Sequence, residues 1–122
     1  MGEQVLRKKL LGIAEAQDEN RQDIRLQEEN IAQLDSIYTQ QNQFFNELQG
    51  KWQEHELGSY LAEARDELNY CQQKSLELVT DEMEQFLYEK KNLVDQEEKA
   101  TEELRFFLSA PSDKKEELKD VY

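Results

Sequence analysis

Between Gly12 and Gly50, and again between Gly58 and Pro111, the chain contains no glycine and no proline. These are the two residues a helix interior tolerates least. Two long breaker-free stretches joined across Gly50 and Gly58 therefore read as helix, turn, helix. The expected bounds are helix 1 at about 3–52, a turn at about 53–58 and helix 2 at about 59–108. Ser59 is the expected N-cap of helix 2. Ser109-Ala110-Pro111-Ser112 ends that helix, because proline cannot continue it. Residues 109–122 are left as an acidic tail, forming a short helix or disordered.

Apolar residues recur in both stretches at the 3–4 spacing of a coiled-coil seam. In helix 1 the seam runs Leu6, Leu10, Ile13, Gln17, Asn20, Ile24, Gln27, Ile31, Leu34, Tyr38, Gln41, Phe45, Leu48, Trp52. In helix 2 it runs Leu61, Ala64, Leu68, Cys71, Ser75, Val79, Met83, Phe86, Lys90, Leu93, Glu97, Ala100, Leu104, Phe107. The three steps of four from Cys71 to Met83 form a stutter, which relaxes a left-handed supercoil. Thr80-Asp81-Glu82 is the alternative, a restart of the helix. Read in opposite directions, the two series match. Leu6 faces Phe107, Ile13 faces the small Ala100, Asn20 faces Leu93, Gln41 lies near Gln72 and Trp52 faces Leu61. The paired numbers add to about 113, as a reversal near residue 56 requires. The expected fold is all-α: a long antiparallel two-helix coiled-coil hairpin with a short C-terminal tail, each helix roughly 75 Å long.

A two-helix hairpin buries one stripe per helix, so apolar residues outside the seam need another explanation. Helix 2 carries Leu76, Leu87 and Val94 beside its seam, with Met83 shared. Helix 1 carries Ile37 and Phe44. In the hairpin Ile37 lies opposite Leu76, so the six are expected to form one continuous patch. Burying one large apolar side chain is worth about 1.5–3 kcal/mol. A patch of that size favours recruiting a further helix.

Charge narrows the partners. Asp and Glu number 28 against 15 Lys and Arg, a formal net charge of -13. Such a chain lacks the cationic footprint that nucleic acid demands. Anionic membrane surfaces are disfavoured too, and no apolar run approaches the ~20 residues of a membrane span. The first residues, Met1-Gly2-Glu3-Gln4-Val5-Leu6-Arg7, lack the apolar core of a secretory signal. A cytoplasmic protein, or one exported in complex with a partner, is expected.

No constellation for catalysis stands out. The one histidine, His55, falls in the turn among Gln53, Glu54 and Glu56 and reads as solvated. Cys71 is placed in the seam as a small buried hydrophobe. Phosphate loops, zinc spacings, EF-hands and the Glu-x-x-His of di-iron bundles are missing. The expectation is a protein that is not an enzyme, with no cofactor and no metal. Trp52 reads either as a cap on the seam or as an anchor for a partner. Phe106 and Leu108, beside a seam-plugging Phe107, pose the same choice. The amides Gln17, Asn20, Gln27 and Gln41 either fix register or mark a loose seam.

The plan of the chain, and the segment from Asp81-Glu82-Met83-Glu84 through Glu89-Lys90-Lys91-Asn92-Leu93 to Asp95-Gln96-Glu97-Glu98 with Asp66-Glu67-Leu68 before it, resembles the LXG-associated α-helical proteins. These are encoded beside LXG toxins of Gram-positive type VIIb secretion systems. The resemblance covers about a third of the chain. It implies an adaptor or targeting chaperone that binds the helical N-terminal domain of an LXG toxin, working with a second small helical protein. Related hairpins carry a Trp-x-Gly turn and a Tyr-x-x-x-Asp/Glu export signal. Here Trp52 is followed by Gln53-Glu54, and no tyrosine has an acidic residue four positions on, so the export signal would come from the partner. The alternative function is a self-associating structural coiled-coil rod, which predicts a homodimer or larger assembly.

Overall fold

The computed structural model describes residues 2–52, 54 and 56–109. Gln53, the turn histidine His55 and the tail from Ala110 lie outside the described residues. Two helices make up the rest: α1, Gly2–Trp52, and α2, Leu57–Ser109. They pack against each other as a helical hairpin, and no strand occurs among the described residues.

The helices end close to where the breakers place them, with two differences. α2 begins at Leu57, so Ser59 lies inside its first turn rather than capping it. There the Ser59 hydroxyl donates to the Glu56 carbonyl at 3.5 Å. Gly50 and Gly58 are both helical, and no described glycine has positive φ. Their missing side chains instead leave an open hollow lined by Asn46, Gln49, Gly50, Gly58 and Ala62. α2 runs unbroken through Thr80-Asp81-Glu82, so there is no restart.

The chain divides into two compact units. The terminal unit is Met1–Ile24 with Gln85–Tyr122, and the turn unit is Arg25–Glu84. Their interiors differ in kind. The terminal unit holds every buried hydrophobic residue described: Leu6, Ile13, Leu93, Ala100 and Phe107. Ala100 is 0% exposed and stands level with Ile13 in register, a small residue met by a large one. The Lys9–Glu103 ion pair at 3.9 Å marks the antiparallel register in this unit. In the turn unit the apolar seam residues Ile31, Leu34, Phe45, Leu48, Leu68 and Val79 are only half-buried. Its register is fixed by polar contacts. Gln72 Nε2 donates to Gln41 Oε1 at 3.0 Å, and the Arg65 guanidinium donates to Asn46 and to Gln49 at 2.8 Å. The numbers of these cross-helix pairs add to about 113, the register expected from the sequence.

The seam of α2 needs correction. Cys71 is exposed and Gln72 takes its place facing α1. The inward series is then Leu68, Gln72, Ser75, Val79, Met83, Phe86, which leaves two successive steps of four instead of three. Gln72 prevails over the more apolar cysteine because Gln41 offers it a hydrogen-bond partner. Lys90 and Glu97 are also exposed rather than seated in the seam. Burying either charge without a partner costs several kcal/mol, so both heads stay in solvent.

Candidate helix-docking faces

The seam amides do specific work. Asn20, 2% exposed, sends its Nδ2–H to the Phe86 carbonyl at 2.9 Å. Gln27, also buried, donates to the Val79 carbonyl at 2.8 Å and to Glu82 at 3.2 Å. Both bonds reach carbonyls of α2 that already serve the helix, using the second lone pair. Asn20 therefore does not simply face Leu93, as the numbering alone predicts. It reaches about two turns back along α2. These bonds favour the register-fixing reading of Asn20, Gln27 and Gln41 over a slack seam. Gln17 lines a hollow of the terminal unit with Asn20, Arg21, Lys90, Val94 and Glu97.

All six residues expected to form the docking patch have solvent access. Ile37, Phe44 and Leu76 of the turn unit are exposed, and Met83 is half-buried. In the terminal unit Leu87 is 48% exposed and Val94 edges the hollow just described. They do not all form one patch. Within the turn unit, Arg65 reaches Asn46 and Gln49, so these three define one side. Leu76 lies eleven residues after Arg65, about 20° around the helix, and so shares that side. Ile37 lies nine residues before Asn46, about half a turn away, and so takes the opposite side. Equal numbering across an antiparallel pair gives the level of a residue and not its side.

The other side has its own marker. Asn30 donates to Gln27, and Gln27 donates to Glu82. Seven and fourteen residues after Asn30 come Ile37 and Phe44. Four and eleven before Glu82 come Leu78 and Cys71. At 100° per residue each set forms a nearly straight stripe. Ile37, Phe44, Cys71 and Leu78 therefore share a face, and all four are exposed. The Phe44 ring meets the edge of Phe45 at 6.1 Å and 88°, which ties it to the seam while leaving it 58% exposed. Leu78 was missed from sequence because it follows the seam shift from Cys71 to Gln72.

Trp52, the last residue of α1, is exposed, as are Phe106 and Leu108, whereas Phe107 and Leu6 are buried. No group of three or more His, Cys, Asp or Glu placed to hold a metal occurs among the described residues. No described helix is long and apolar enough to cross a membrane.

Residues 3–106 match the family described as "Protein of unknown function (DUF3958)". The chain belongs to that family. The match spans nearly all of α1 and α2. No curated protein and no solved structure matches the chain.

Proposed function

We propose that this DUF3958 protein is a non-enzymatic adaptor or targeting chaperone that binds the helical N-terminal domain of an LXG-type toxin for type VII secretion. The resemblance of the Asp81–Glu98 segment to the LXG-associated α-helical proteins supplies the partner class. The observation that carries the docking mode is the pair Leu87 and Val94, seven residues apart and both exposed on α2 within the terminal unit; in the turn unit Leu76 is likewise exposed beside a half-buried Met83. Large side chains at helical spacing on a helix already packed by another stripe are what a third helix covers.

Co-purification tests it. The wild-type chain is expected to hold an LXG-domain fragment through size exclusion. Leu87→Glu, an exposed position, is expected to keep the helical circular-dichroism spectrum and lose the fragment. Retention of the fragment by Leu87→Glu would remove this face from the interaction. A chain that instead runs alone as a stable homodimer or larger assembly supports the structural rod.

A further inference from the structure

The face made by Ile37, Phe44, Cys71 and Leu78 goes beyond that reading, because it lies on the side of the turn unit away from Leu76. We propose that it is a second docking surface, and that its occupant is an amphipathic helix of another protein whose apolar stripe is edged by Lys or Arg.

Two observations carry this. The first is packing: no described hydrophobic residue of the turn unit is fully buried, while its outward apolar side chains are large. Much of its apolar area remains available to a partner. The second is charge. In Arg25–Glu84 the only Lys or Arg residues are Arg25, Lys51, Arg65 and Lys74, against thirteen Asp and Glu. Arg65 is engaged on the opposite side. Two cations flank the stripe: Lys51, seven residues after Phe44 at the end of α1, and Lys74, three after Cys71, which pairs with Glu77 at 3.5 Å and lies 5.7 Å from the Tyr70 ring centre. Glu47, three residues after Phe44, Glu67, four before Cys71, and Glu82, four after Leu78, edge the apolar stripe with negative charge. A basic-edged helix buries the stripe and meets these carboxylates. A second copy of this chain would bring the same acidic edge against them and be repelled.

The test uses the full chain and its single cysteine. An environment-sensitive dye on Cys71 reports the face directly. It is titrated with two synthetic helical peptides that share a Leu/Ile stripe, one edged by Lys and the other by Glu. The Lys-edged peptide is expected to shift the emission saturably, and less strongly as sodium chloride is added. The Glu-edged peptide is expected to leave it unchanged. Leu78→Glu should weaken the Lys-edged peptide about tenfold or more, while Leu76→Glu should not. Circular dichroism checks that both variants stay helical. The proposal is overturned by an equal loss from Leu76→Glu, by an equal response to the Glu-edged peptide, or by no saturable response. An emission shift that follows the chain's own concentration without peptide would overturn it too, assigning the face to a second copy. No toxin enters this assay, so its failure and the failure of the toxin reading are separate results.

Discussion

Asn20 shows how one amide specifies a seam made mostly of aliphatic side chains. Its Nδ2–H on the Phe86 carbonyl is buried, yet the carbonyl also serves the α-helix. A hydrogen bond of this kind contributes about 1 kcal/mol net. Removing the amide by Asn20→Leu leaves no orphaned donor, because the donor goes with the side chain. That variant is expected to unfold in urea within about 1 kcal/mol of wild type. Asn20→Asp is nearly the same size but sets an unpaired carboxylate against a carbonyl oxygen. It is expected to lose on the order of 3 kcal/mol at neutral pH. If both variants unfold at the wild-type midpoint, Asn20 is not buried against α2 in solution.

Within α2, Ala100 is the position with the least room. It is fully buried in the terminal unit, level with Ile13. Ala100→Leu adds three heavy atoms to a closed seam and is expected to cost about 1–3 kcal/mol, read as a lower urea midpoint. The same change at Ala32, exposed on α1, should move it by no more than about 0.5 kcal/mol. The contrast explains what could be read from the sequence. Breaker placement and the 3–4 spacing gave both helices, the antiparallel register and the burial of Leu6, Ile13, Ala100 and Phe107, since all of these follow from one helix facing another. The choice between Cys71 and Gln72 was not legible. A run of steps of four can be threaded through either residue, and hydropathy favours the cysteine. What decides is Gln41 on the other helix. The side on which Ile37 lies was also hidden, because a pairing by number carries no handedness. Leu76, Leu87 and Val94 were legible as exposed, since each sits beside a seam residue that points inward.

The balance of the chain as a folded object is set by its excess of carboxylates. A net charge of -13 on 122 residues opposes folding by self-repulsion, and the turn unit carries most of the excess. Attractive pairs do little to offset it. Arg7–Glu3, Arg21–Asp18 and Lys74–Glu77 are exposed contacts within one helix, and Lys9–Glu103 is exposed and long. Such pairs contribute little in water. Repulsion spread over many charges and a few weak attractions respond oppositely to screening. Salt shortens the Debye length from about 30 Å at 0.01 M to about 8 Å at 0.15 M, which removes long-range repulsion first. Sodium chloride over that range is therefore expected to raise the thermal midpoint, measured by circular dichroism at 222 nm, the usual α-helix wavelength. Chloride is the suitable anion because sulfate would strengthen apolar burial by itself. A midpoint that falls with salt would mean that ion pairs outweigh repulsion in this chain. A basic-edged helix on Ile37, Phe44 and Leu78 should replace the effect of salt, since it neutralises the same carboxylates. With such a helix bound, the rise on adding chloride should shrink or reverse.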